Sequence, residues 1–206
     1  NWMDPSVGNE GDSLSVIESL DPFAEGREIP FTEDFVSKYR EAQRDRNYRI
    51  TKWVRDEIDL MASAGHHDRL FTTPRLWADL RMIDGSIDPS NRKSPSCYLG
   101  DPRRANYGIY GVGTVSSLRT WLSMWSLNES QCSAAPHLER INVPSLVIDA
   151  DGDSGVFPSD TQAIVESLGS KDLTALTISG DHYLRDRENS RDEVADAIVE
   201  WIQERS

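Results

Sequence analysis

Two short apolar, β-rich runs constrain this chain more than any other feature in it: Val143-Pro144-Ser145-Leu146-Val147-Ile148 and Leu173-Thr174-Ala175-Leu176-Thr177-Ile178. Each is followed by a turn and then by a helical stripe. After the first, an acidic, glycine-containing turn leads to Pro158 and Ser159, which open a helix with Ile164, Val165 and Leu168 as its face and Gly169 as its stop. Gln162 is expected to complete a capping box there. After the second run, Ser179-Gly180-Asp181-His182 leads to Ser190 and Glu193, a second expected capping box, and to a face of Val194, Ile198, Trp201 and Ile202. Strand, helix, strand, helix with short connections is the pattern of an α/β parallel sheet. Two parallel strands do not stand alone, because they need neighbours and cover on both faces. Residues 141–206 are therefore expected to be part of a doubly wound sheet that this chain leaves incomplete.

The preceding residues have a different texture. Residues 1–31 carry Pro5, Pro22 and Pro30 among acids and glycines, and are expected to be an irregular connecting segment. From Thr32, apolar residues recur at mostly helical spacing through Phe35, Tyr39, Ala42, Ile50, Trp53, Leu60 and Met61, with no proline or glycine before Gly65. That predicts one long amphipathic helix, or two nearly continuous ones, capped by Thr32 and stopped at Gly65. Its basic residues, Lys52 and Arg55 among them, interleave with acids as a solvated face with internal ion pairs. A shorter helix is expected after Pro74, carried by Leu76, Trp77 and Leu80, and then irregular chain over residues 84–106. The glycine-rich stretch Asn106–Thr114 leads into Leu118, Trp121, Leu122 and Trp125, which share one face of a short helix. Residues 32–140 are thus expected to be mainly helical.

Composition removes several classes of function. With 206 residues the chain is long enough to bury a sizeable core. Its formal charge of −13 would repel phosphate backbones and anionic lipid, which argues against nucleic-acid and membrane partners. No apolar run approaches the roughly 20 residues of a membrane helix. Cys97 and Cys132 allow at most one bridge, leave the redox compartment open and make no metal-ligand cluster. The chain opens Asn1-Trp2-Met3-Asp4-Pro5, without an initiator methionine, and cleavage of a longer precursor just before Asn1 is the expected origin.

The candidate chemistry stands at the ends of the two strand-like runs. In open α/β sheets, ligands bind outside the carboxyl ends of the strands. Asp153 follows the first run and His182 the second, so one strand–helix–strand unit brings both to the same sheet edge. An acid oriented against an imidazole is the half-triad that activates a hydroxyl nucleophile. Asp149 and Asp151 are rivals to Asp153 for the acid role.

Here the sequence resembles a family. Ile141 to Ile148, followed by Asp153, is similar to the acid-bearing segment of α/β-hydrolases, and Gly180-Asp181-His182-Tyr183 resembles their histidine segment, in the family's order. The resemblance covers residues 141–206 and implies that Asp153 is the triad acid and His182 the general base, with no metal or organic cofactor. It implies that residues 32–140 are the helical cap many members insert ahead of the acid strand. Trp121, Trp125, Tyr107 and Tyr110 would then contribute to a substrate pocket beneath that cap. The family's G-x-S-x-G nucleophile elbow and its first oxyanion-hole loop are absent from these residues. The expectation is a subunit or fragment of a hydrolase acting on a small-molecule ester, lactone or amide. Its nucleophile would lie on a companion polypeptide. The rival expectation is a ligand-binding or regulatory protein of the same fold without turnover.

Other motifs fit their chemistry poorly. Gly11-Asp12-Ser13-Leu14 spells an esterase signature but lacks the apolar strand that should precede it, and Asp181 adjoins His182 where D-x-x-H is required. Gly152-Asp153-Ser154-Gly155 echoes a serine-protease motif that belongs to an all-β fold. Asp149, Asp151, Asp153 and Asp160 are spaced as calcium-loop ligands, yet a strand precedes them and Ser154 replaces the glycine such a loop requires. Gly108, Gly111 and Gly113 do not form a dinucleotide fingerprint, and His66-His67 lacks the H-E-x-x-H pattern.

Overall fold

The structure, a computed structural model, describes residues 20–73, 79–108 and 113–206. The Gly11–Leu14 motif, the start of the helix expected after Pro74 (Leu76 and Trp77), Gly111 and Tyr110 lie outside those residues. The chain divides into two compact units, Asn1–Leu80 with Arg103–Cys132 and Arg81–Pro102 with Ser133–Ser206. Residues 81–102 thus join the C-terminal strands, whereas the sequence pattern changes only at Ile141.

The first unit is built on α1, Glu33–Ser63. Thr32 caps it as expected, its hydroxyl accepting the Phe35 amide at 3.2 Å, with Glu33 and Asp34 in the first turn where the helix dipole favours acids. At the far end Gly65 takes a φ of +77°, which a side chain disfavours, and the chain turns off the helix. Lys52 pairs with Asp56 one turn along at 2.7 Å, while Arg55 reaches out of the helix to Glu129. The buried face of α1 presents Ile50, Trp53 and Val54 to Phe71, Leu118 and Trp121. Phe71 stands on β1 (Leu70–Thr72), which pairs antiparallel with β2 (Val115–Ser117). Its ring meets Trp53 and Trp121 edge-on at 5.2 and 5.9 Å between centroids, a favourable aromatic geometry. The unit also contains α2, Pro102–Tyr107, from its second residue onward, and α3, Leu118–Thr120, which runs into a π-helical turn over Trp121–Trp125.

The second unit opens within the 3₁₀ turn Leu80–Met82 and, after a long loop, contains α4 (Ala135–Leu138), β3 (Ser145–Ala150), α5 (Pro158–Ser167), β4 (Leu173–Ile178) and α6 (Ser190–Gln203). The two expected strands are present and pair parallel, in register from Ser145↔Leu173 to Ala150↔Ile178. The chain is therefore of mixed α/β character with a two-stranded parallel sheet among the described residues. Every residue of β3 is only half-buried, and Ala175, Leu176 and Thr177 of β4 are exposed.

Neither capping box forms with the expected partners. At α5 it is Asp160, not Gln162, whose carboxylate accepts the Phe157 amide at 3.1 Å, and Gln162 instead donates to Glu166. The Ser159 amide is met by Asp88 from the preceding loop. At α6, Ser190 is itself the first helical residue and fully buried, and its hydroxyl donates to the Ser179 carbonyl at 2.8 Å. The expected α6 face is also redistributed. Val194 and Trp201 are half-buried, whereas Ile198 and Ile202 are exposed.

Candidate functional site

β3 ends at Ala150, and the turn beyond it is stitched to the turn beyond β4. The Asp151 amide donates to the Ile178 carbonyl and the Gly152 amide to the Gly180 carbonyl, both at 3.0 Å. A Cβ on Gly152 would lie 2.8 Å from the Gly180 oxygen, so only glycine fits so close a backbone approach. Asp151 accepts from the Asn91 side chain at 2.8 Å, the Ser179 hydroxyl at 2.9 Å and the Gly180 amide at 3.1 Å. These bonds, Asn91 foremost, hold its carboxyl below the usual carboxylate range. Asp151 is therefore a tie between the two turns. Asp149 remains inside β3, opposite Thr177.

Asp153 is the acid that meets the histidine. Its Oδ1 accepts the Gly155 amide at 2.6 Å and the Val156 amide at 3.0 Å, which fixes the carboxylate on its own turn. His182 Nδ1 lies 2.9 Å from Asp153 Oδ1 and 3.0 Å from Oδ2. A carboxylate can only accept, so the neutral ring bound to it carries its proton on Nδ1 and its lone pair on Nε2. Among the described residues Nε2 has no hydrogen-bond partner. The pair is sheltered without being sealed, with 13% of the Asp153 side chain and 30% of that of His182 exposed. The histidine turn is braced by Asp181, whose Oδ1 accepts the amides of Tyr183 and Arg185 at 3.0 and 2.9 Å.

The loop Arg81–Pro102, most of which falls in the stretch 84–106 that the sequence marks only as irregular, adds residues to the site that no motif predicts. Arg92 is buried and donates to the carbonyls of Arg81, Asp84, Ile87 and Asp88, drawing the loop around itself. The guanidinium groups of Arg81 and Arg92 lie 4.2 and 5.0 Å from the centroid of buried Phe157, anchoring the loop to the start of α5. Asn91 and Tyr98 reach Asp151 and His182 from this loop. Proline, serine and glycine in it signalled turns, but nothing local in the sequence signalled those contacts.

The remaining candidate residues belong to the first unit. Trp121 is 1% exposed and donates from its indole nitrogen to Thr51 at 3.2 Å. Trp125 is half-buried against the same core, and Tyr107 is exposed, meeting Phe23 edge-on. Asp160 is occupied by Arg81 and the Phe157 amide, and among the described residues no three acid, histidine or cysteine side chains converge as a cation would require. Burial pushes the Cys97 thiol up, away from the thiolate form a nucleophile needs.

Comparison with family models, with curated proteins and with solved structures finds no significant match to this chain.

Proposed function

We propose that this chain supplies the acid and the general base of a serine-type α/β-hydrolase that cleaves a small-molecule ester, lactone or amide. A companion polypeptide carries the nucleophile, the oxyanion hole and the remaining strands. The observation that carries this reading is His182, with Nδ1 held between both oxygens of Asp153 and Nε2 left open, at the carboxyl ends of two parallel strands. A hydroxyl nucleophile belongs within roughly 2.6–3.2 Å of that nitrogen.

The chemistry follows from the protonation pattern. Nε2 takes the hydroxyl proton as the nucleophile's oxygen attacks the carbonyl carbon, and Asp153 stabilises the imidazolium that results. The same proton passes from Nε2 to the leaving alcohol or amine as its bond to the acyl carbon breaks. Water repeats the cycle on the acyl intermediate, which releases the acid and restores the hydroxyl.

Exposed apolar surface supports a companion. Val143, just before β3, is 64% exposed, and Leu176 on β4 and Ile198, Val199 and Ile202 on α6 are exposed as well. Apolar strand surface left in water invites pairing. A partner of about 150–200 residues is expected, joined through an interface in the ~2,000–5,000 Å² range of permanent complexes. Size-exclusion chromatography with intact mass spectrometry, followed by a fluorophosphonate probe, tests the proposal. Covalent labelling of a co-purifying polypeptide supports it. A lone, monodisperse 206-residue species overturns it. Tight ligand binding without labelling supports instead a non-catalytic binding protein.

A further inference from the structure

The Asp153 hydrogen bond fixes where Nδ1 sits but leaves the imidazole free to hinge about that atom. Nδ1 and Nε2 are on opposite sides of a small ring, so a tilt of about 30° at Nδ1 carries Nε2 roughly 1 Å away, a displacement that costs on the order of 10²-fold in rate. A second constraint is therefore needed: Tyr183, from the histidine's own turn, meets the ring edge-on at 4.9 Å between centroids, and the loop Arg81–Pro102 provides the contact with its face. The Tyr98 ring lies over His182 at 5.1 Å between centroids and 33° between planes, an offset, tilted stack. Gly155 sits at the seam between the rings, because a Cβ there would be 2.7 Å from Tyr98 Cδ1 and 3.1 and 3.2 Å from His182 Nδ1 and Cε1.

Tyr98 is itself held from three directions. It occupies the tight turn Cys97–Gly100, closed by reciprocal amide–carbonyl bonds of 2.9 and 2.7 Å, with Cys97 buried and Gly100 at a φ of +97°. The Ser96 amide donates to the Met82 carbonyl at 2.8 Å, and Ser94 donates to Ile83 at 2.8 Å, binding the loop to its own base. Asn91 joins it to the acid turn twice, donating from its amide to the Asp151 carbonyl at 2.9 Å and from its side chain to the Asp151 carboxylate at 2.8 Å. The turn that holds the carboxylate and the turn that holds the aromatic ring are thus one connected piece.

We infer that Tyr98 is a positioning residue for His182, its ring fixing the plane of the imidazole while Asp153 fixes its direction, with Gly155 kept free of a side chain so that the rings can meet. Its use in turnover rests on the hydrolase reading above, but its effect on the ring does not.

The test uses the full chain labelled with ¹⁵N-histidine. Carbon relaxation of the His182 Cδ2–H and Cε1–H groups reports how tightly the ring plane is held, and the nitrogen shifts report whether Asp153 still holds Nδ1, so ¹³C is included in the label. The wild type is expected to show a ring as ordered as its backbone, and Tyr98→Phe, which keeps the aromatic face, should reproduce it. Tyr98→Leu and Tyr98→Ala should lower the ring's order parameter while the Nδ1 contact and the circular dichroism stay unchanged. Gly155→Ala, which forces the two rings apart without replacing Tyr98, should lower it as well and keeps the test alive if the Tyr98 variants fold poorly. Wild-type ring order in Tyr98→Leu or Gly155→Ala overturns the inference, as does loss of ring order in Tyr98→Phe. No substrate or companion is present, so failure of fluorophosphonate labelling refutes the hydrolase reading and leaves this result standing.

Discussion

Asp88 caps a helix far from it in sequence: its two carboxylate oxygens accept the Ser159 amide at 3.3 and 3.2 Å, and its Oδ2 accepts the Ser159 hydroxyl at 2.6 Å. Ser159 lies in the first turn of α5, where helix amides lack partners. Asp88 holds a φ of 56° to reach it. The loop Arg81–Pro102 and the helix that follows the acid turn are therefore joined by a charged cap.

Replacing Asp88 by alanine is expected to lower stability by about 1–2 kcal/mol, the range for losing a helix cap. Burial on its own would raise this carboxyl, but the Ser159 hydroxyl and amide and the Arg81 guanidinium outweigh it and hold the carboxyl below the usual range. A carboxyl depressed in the folded state stabilises the protein fully above the unfolded value of about 3.9 and ceases to do so as pH falls through the folded value. Urea unfolding of wild type and Asp88→Asn should thus differ at neutral pH and converge as the solution is acidified below about pH 4. A gap that widens in acid contradicts the assignment.

Asp153→Asn separates geometry from chemistry. The asparagine oxygen can still accept the Gly155 and Val156 amides, so folding free energy should change by less than about 1 kcal/mol. Its amide nitrogen, however, donates where the carboxylate accepts, and selects the wrong tautomer of His182. Ester hydrolysis by the reconstituted complex should fall by about 10⁴-fold, the loss expected when a triad acid is made neutral. Turnover retained to within about tenfold would remove Asp153 from the acid role.

Gly152→Ala forces a methyl group against backbone, with Gly180 O at 2.8 Å and Gly180 C at 3.3 Å, neither of which can rotate aside. The expected cost is about 1–3 kcal/mol, as for overpacking in a close-packed interior. The His182–Asp153 pair should loosen with it, since Gly152 joins the two turns that carry them. Denaturant unfolding measures the first effect and the histidine nitrogen shifts measure the second.

Trp121→Phe tests the core of the first unit. The variant removes both the indole's volume and its hydrogen bond to Thr51, for an expected loss of about 1–3 kcal/mol. Tryptophan fluorescence during thermal unfolding follows it, and an unchanged midpoint would show that Trp121 is not the anchor its burial implies.

The features legible in the sequence were those encoded by neighbours in the chain. Thr32 and Gly65 bound α1 because a cap and a stop act within one turn, and β3 and β4 follow from uninterrupted β-rich runs. Asp153 and His182 could be paired in advance because the strand–helix–strand pattern alone brings their turns together. The capping boxes failed because Ser159 and Ser190 found partners outside their helices, in Asp88 and the Ser179 carbonyl. Asn91 and Tyr98 were illegible for the same reason. Their contacts depend on how a loop folds around Arg92, which leaves no period and no motif. Ile198 and Ile202 matched a helical face, but periodicity does not say which side of a helix is covered.

The register of β3 against β4 has a consequence for tolerance. Ala150 pairs with Ile178, so Asp153 and His182 each stand a few residues beyond the same rung of the ladder. A slip of one rung would slide one partner by about 3.3 Å and turn alternate side chains to the opposite face, further than any hydrogen bond can stretch. The spacing between carboxylate and imidazole is therefore measured out by main-chain pairing, and the sheet serves as the ruler against which both turns are cut.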